Sequence, residues 1–494
     1  MFASRSTLLA AALLAGLVPA RAARADEPTA VATSSTATPT TDPDPPTTAP
    51  EPVPPPARGV APEEASGIAI DEPPSTAERL RWIPRALLFL PRWGFWVAAQ
   101  PLRGAAWTYE VTRDKLKGAL FSADQIYGLY PVASYSTDYG FSVGARFVHY
   151  DVFGQKEKVK LFADFGGEFR QGYGLKLSSG ERIAKRFTAN FEARFQRRPG
   201  ERFFGFGDNT ELEAPPEMPI DPMTSNVAIA SRFREDIMRM KTYLDTKIAR
   251  DLYVRVTGAW ADRAFGDSDV GGESIADRYD TTRLVGFDDG TSNIYVETEL
   301  IYDSRRPTNP YISRVMDATG WYLSAFTGRA RGLADDTTSY YRYGGEVQRY
   351  IDLYKGSRVL TLRAMVDAVG GTDGRTDGKI SFVELPRLGG PDFLRGYPRD
   401  RFRDGAVALA TAEYAWDLGN YFGGYAFVDV GRPFPSLSEV ELTGLRMGFG
   451  GGIEMRTYRS FLLRGQLAAS KDGDVFFELA LSPAFGRRER AGRF

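Results

Sequence analysis

The sequence predicts an all-β protein. It reads as a 16-stranded antiparallel transmembrane β-barrel, preceded by a disordered Pro-rich linker and a short helical segment. Three observations carry this. From about Gly128 to Phe485 apolar and polar residues alternate with period two, with almost no helical periods to cover the apolar faces. The alternating segments run roughly 9–14 residues, where a tilted membrane strand needs ~9–11 and soluble strands average ~5–6. The chain also opens on an export signal.

That signal occupies residues 1–25. Arg5 supplies a positive start, Leu8 to Val18 a short apolar run, and Ala20-Arg21-Ala22 and Ala23-Arg24-Ala25 two small-x-small cleavage sites. Residues 26–76 are rich in Pro, Thr and acidic side chains, too polar to offset ordering entropy, and read as a disordered spacer. Residues 77–118 are apolar, but Pro84, Pro91 and Pro101 break any long helix and Arg85, Arg92 and Arg103 interrupt the run. Short amphipathic helical pieces fit there, placed at the membrane interface, in the barrel mouth, or packed as ordinary helix.

The barrel is expected over 119–494. Alternation gives strands at about 128–137, 139–152, 157–169, 171–180, 185–197, 238–249, 252–266, 292–305, 320–332, 340–354, 358–370, 406–418, 423–434, 445–457, 461–471 and 475–485. Sixteen is even, as a closed bacterial barrel requires. In "NIYVETELIY" Ile294, Val296, Thr298 and Leu300 oppose Tyr295, Glu297 and Glu299. One such face suits lipid and the other a polar lumen. With the first strand rising from the periplasm, "RDL", "YKGS", "LGNY" and "YRS" are short periplasmic turns, and "DSRRPTNPYISRVMDATG" is the exception. The long connections, 198–237, 267–291 and 371–405, all fall on the outer side.

Several chemistries are excluded or weakened. Lys plus Arg number 62 against 63 Asp plus Glu, so no basic surface for nucleic acid is expected. The chain has no Cys and one His, which leaves no disulfide frame and no transition-metal set, and no cofactor is expected. "GFSVG", Gly140 to Gly144, matches a nucleophile-elbow pattern, but strand alternation runs straight through it and His149 lies too far along the same strand. The protein is expected not to be an enzyme. "DGRTDGK" lacks the spacing and closing Glu of a calcium loop. "GFGGG" is a glycine-rich strand with no helix behind it.

The last long loop holds "LGGPDFLRGYPRDRFRD", with the tip Leu394-Arg395-Gly396-Tyr397. Downstream, Glu413 shares the polar side of its strand with Thr411, and Asp429 opposes Ala426, Val428 and Val430. Both carboxylates point inward from consecutive strands, where one Arg fork can bridge them. Gly396 allows the reversal at the tip. On these residues the chain resembles the BamA/TamA family of outer-membrane barrels, the bacterial surface-antigen superfamily, over about 115–485. "AFVDVGRPF" resembles its aromatic-x-Asp-x-Gly run, "RFFGFGDNT" its aromatic-Gly element, "YDSRRPTNP" its periplasmic turn and "FFELALSPAF" its closing strand. The resemblance implies a sixth loop inserted in the lumen, with Arg395 held by Glu413 and Asp429. It implies an outer-membrane protein, a monomeric barrel among outer-membrane lipids, that assists insertion, assembly or translocation of proteins or lipids. Its seam between first and last strands would open, and Pro131 and Pro483 suit either a weak seam or ordinary strand ends. The chain departs from the family in having no room for POTRA domains, the family's docking platform, and client outer-membrane proteins and a separate periplasmic partner are its candidate partners. A passive or gated pore, or a lipid-handling barrel, is the alternative, and a barrel hydrolase is a distant third.

Overall fold

The computed structural model describes residues 118–480 apart from 138, 185, 213–217, 307–318, 334–338, 371–379, 419–421 and 457–460, with isolated positions between 100 and 115. The expected signal (1–25), the spacer (26–76), nearly all of the 77–118 segment, Pro483 and Phe485 lie outside the described residues.

Sixteen strands close one antiparallel barrel in simple sequence order. They are β1 Tyr127–Ser136, β2 Gly140–His149, β3 Lys158–Gly166, β4 Phe169–Ser178, β5 Phe187–Phe203, β6 Ser231–Lys247, β7 Leu252–Asp267, β8 Thr291–Asp303, β9 Gly320–Gly332, β10 Ser339–Asp352, β11 Arg358–Gly370, β12 Ala406–Asp417, β13 Phe422–Phe434, β14 Arg446–Arg456, β15 Phe461–Ser470 and β16 Val475–Ala480. Among the described residues β1 meets β16 in two register pairs, Tyr135 with Leu479 and Ser136 with Glu478.

The alternation sorts as expected. On β8 Ile294, Val296 and Leu300 are exposed on the outer face, while Tyr295, Glu297 and Glu299 are buried within. Exposed apolar rows of this kind are what a lipid-facing wall presents. No described helix is long and apolar enough to cross a membrane, which says nothing of a β-barrel.

Two strands run further than their alternation suggested. β5 reaches Phe203 rather than 197, and β6 begins at Ser231 rather than 238. The inner row persists there in Phe203, Ser231, Phe233 and Glu235, all buried. The outer row turns charged, with Arg197 and Asp236 paired by two 2.8 Å bonds. Apolar-out alternation marks only the stretch that meets lipid, so this hairpin stands above it in water. A bulge between Arg198 and Glu201 shifts the register in the same region.

The lumen is filled from the long-loop end. Ile380, Phe382, Val383 and Leu385 join an aromatic cluster with Phe203, Phe233, Tyr279, Tyr295 and Tyr340. Phe382 alone contacts the rings of Phe203, Phe233, Phe265 and Phe287. This is the core that a membrane barrel builds inside itself, since its outer face is given to lipid.

Candidate functional site: the anchored lumenal loop

The connection from β11 to β12 enters the barrel and folds back on itself. Arg387–Leu388 pairs with Phe402–Arg403 as a two-residue ribbon. Beyond the ribbon lies the tip. Leu394 is fully buried among Met365, Phe393, Tyr397, Phe402, Val407 and Leu409. Both Leu394 and Gly396 adopt positive φ, 67° and 93°. Gly396 has a second constraint, because a Cβ there would sit 2.4 Å from the Ala469 carbonyl oxygen of β15.

Arg395 lies between β12 and β13. Its Nε and Nη2 donate to Asp429 Oδ2 and Oδ1 at 2.7 and 2.8 Å, and Nη1 donates to Glu413 Oε2 at 2.6 Å. The Arg395 backbone N–H adds a 2.9 Å bond to Asp429 Oδ2. The guanidinium carbon rests 3.4 Å from the centroid of the Phe427 ring. Arg395 is 3% exposed, Asp429 1% and Glu413 6%. A planar fork uses every face here: edge to Asp429, end to Glu413, flat side to the ring. A Lys ammonium has no such geometry.

A second arginine shares the carboxylate. Arg464 of β15 places Nη2 3.3 Å from Glu413 Oε2, donates Nε to the Tyr425 hydroxyl at 2.7 Å, and sits 3.8 Å from Glu454. Asp429 depends on the loop, whereas Glu413 also has a partner in the wall. Arg464 carries no motif in the sequence that would have announced this.

The wall is shaped for the tip. A Cβ at Gly448 of β14 would fall 1.6 Å from the Arg395 carbonyl oxygen. The glycine-rich "GFGGG" stretch therefore gives the loop backbone room to lie against β14. The other limb is pinned higher up. Glu384 Oε1 accepts from Arg263 at 2.7 Å and from Asn293 at 2.6 Å, and Arg342, bound to Asp367, donates to the Glu384 carbonyl at 3.0 Å. Burial raises the Asp400 carboxyl, and the guanidiniums of Arg387, Arg403 and Arg399 outweigh it, leaving Asp400 below its ordinary value. The Gly207 amide of the β5–β6 connection donates to the Arg403 carbonyl at 2.8 Å, tying two loops together. In the β8–β9 turn Arg305 grips Asp303 by two 2.9 Å bonds.

The two other sequence features sit apart from this site. Ser142 Oγ lies 2.6 Å from Ser134 Oγ on β1, while His149 at the far end of β2 stacks on Tyr127. Along a strand that separation is about 23 Å. Among the described residues no group of His, Asp and Glu is placed to hold a metal ion.

Residues 287–474, which hold the loop and both carboxylates, match the Omp85 superfamily domain. BamA from Haemophilus ducreyi lacking POTRA domains 1–3 is similar over 72% of this chain and 70% of that chain, at TM-score 0.52 and 11% identity. CdiB from Acinetobacter baumannii gives TM-score 0.45 and 10% identity over 72% and 59%, and CdiB from Escherichia coli 0.46 and 11% over 72% and 62%. The chain thus spans under two thirds of either CdiB. At such identity the BamA likeness is one of fold. No curated protein matches the chain. Within the matched residues, Arg395 and its two carboxylates come from three separate stretches that the barrel brings to one point.

Proposed function

We propose that this protein assists the insertion, assembly or translocation of proteins at the outer membrane, with a separate periplasmic partner delivering clients. The observation that supports it is the clasp itself. Arg395, Glu413 and Asp429 are buried, charged and mutually satisfied inside a lumen whose loop they position. A passive pore gains nothing from fixing a loop tip this closely against β12–β15. A machine that must hold a defined interior while its wall handles a client does. Leu394 and Tyr397 seat the tip, and Arg395 with Glu413 and Asp429 locks it.

Depletion of the protein, followed by protein and lipid profiling of purified outer membranes, tests this. Selective loss of other barrel or surface proteins is the expected result. An unchanged membrane composition with altered permeability to small solutes would replace this reading with the pore.

A further inference from the structure

The lumenal wall of β3–β6, nearer the short-turn end than the loop, carries a charge pattern that the clasp does not use. Its inner face is identified by the loop: Arg194 and Arg239 line a cavity of about 400 Å³ together with Asp392 and Phe393. Strand parity then places Lys158, Lys160, Lys176 and Lys241 on the same side. Lys160 stands directly opposite Lys176, Lys176 opposite Glu192, and Glu192 opposite Lys241. One row further toward the loop, Arg194 stands opposite Arg239.

Glu192 is the one carboxylate in these rows among the described residues. It already binds Lys176 at 2.8 Å and also Arg194. Lys158 and Lys160 are exposed to the lumen and meet no carboxylate among the described residues. Like charges directly opposite in a sheet destabilise it. The barrel retains one such pair in Lys160 and Lys176, with Lys158 and Lys160 exposed beside it.

Resting on the assembly reading above, we propose that this wall is a docking stripe for acidic segments of extended client polypeptide. An extended chain laid across β3–β6 meets cations from successive rows, at the spacing of neighbouring strands. The exposed Lys158 and Lys160 attract carboxylates at long range and remain hydrated, so binding is fast, weak per contact and sensitive to salt. It lies where a chain entering from the periplasm arrives before the anchored loop.

The test uses the full chain in phosphatidylcholine nanodiscs, with fluorescein-labelled 20-residue peptides of Glu, of Gly/Ser and of Lys. The Glu peptide is expected to bind, with affinity falling at least tenfold between 50 and 300 mM salt on the order expected for screened charges. Lys160→Gln with Lys176→Gln should weaken it about tenfold, and the double change to Glu should abolish it. Arg329→Gln, on the lipid-facing side of β9, should leave it unchanged. Heat-modifiable mobility reports whether each variant is a folded barrel. Equal binding of the Gly/Ser peptide, or undiminished binding by the folded Gln variant, overturns the proposal. So does tighter binding of a polyphosphate of matched charge, which would make the stripe a phosphate site. Depletion profiling separates the two readings: loss of peptide binding in the Gln variant with no client loss on depletion sinks the assembly role and leaves the stripe standing.

Discussion

The two walls of the lumen treat charge in opposite ways. On β11–β15 nearly every buried ion has a partner at bonding distance, and the loop supplies several of them: Arg363 with Glu346 and the Asp392 carbonyl, Arg395 with two carboxylates, Arg464 with Glu413. On the lower rows of β3–β6 Lys160 faces Lys176, Glu192 is shared by Lys176 and Arg194, and Lys158 and Lys160 are exposed. Buried paired ions contribute little net stability, but each fixes a geometry that is costly to break from one side. Exposed like charges fix little and leave attraction for something else. One wall specifies the position of a loop, and the other is the one proposed to receive a ligand.

The largest effect should follow from breaking the first wall at one partner. Arg395→Ala strands Asp429 and leaves Glu413 only its 3.3 Å contact with Arg464, and removing one side of a buried pair costs about 3–5 kcal/mol. The expected outcome is loss of heat-modifiable mobility or a sharp fall in urea resistance, with the loop open to protease. Arg395→Met combined with Glu413→Gln and Asp429→Asn removes all three charges together and should recover much of the stability. If the single and triple variants are equally damaged, the ions matter only as volume. Gly448→Val tests the same wall without touching charge. Its side chain would occupy the Arg395 carbonyl position, so the tip must lift, and the effect should approach that of Arg395→Ala in protease access to the loop.

Arg464→Met should be milder. Glu413 keeps its 2.6 Å bond from Arg395, so the variant loses the Tyr425 bond and a 3.3 Å contact. A charged hydrogen bond of this kind contributes about 1.5–3 kcal/mol. A loss as large as that of Arg395→Ala would mean that Arg464, not the loop, holds the clasp.

How much of this was legible in the sequence follows from range. Strand parity is local, so the strands and the inward aim of Glu413 and Asp429 can be read from a dozen residues each. The loop tip stands out as Gly and Arg in a non-alternating stretch. Partners fixed by barrel closure cannot be read this way. Arg464 lies 51 residues beyond Glu413, and Arg263 lies 121 before Glu384. Gly448 was visible only as unusual glycine density, because what it accommodates comes from another loop. The upper halves of β5 and β6 were missed because water, not lipid, faces their outer row.

The second wall gives the smallest effect on stability, and its sign sharpens the contrast. Lys160 faces Lys176 and meets no carboxylate among the described residues. Lys160→Ala therefore removes a repulsion and no bond. Cross-strand pairs of this type are worth roughly 0.2–1 kcal/mol, so urea resistance should stay level or rise by a few tenths. The gain should be greatest at low salt and vanish as screening grows, since the Debye length falls from about 30 Å at 0.01 M to about 3 Å at 1 M. A wall built for stability would weaken when a residue is removed, as the Arg395 wall is expected to. If Lys160→Ala costs stability at low salt, the lysine has a structural partner and the stripe is not a free surface. If it stabilises the barrel while weakening capture of an acidic peptide, the repulsion is retained for binding.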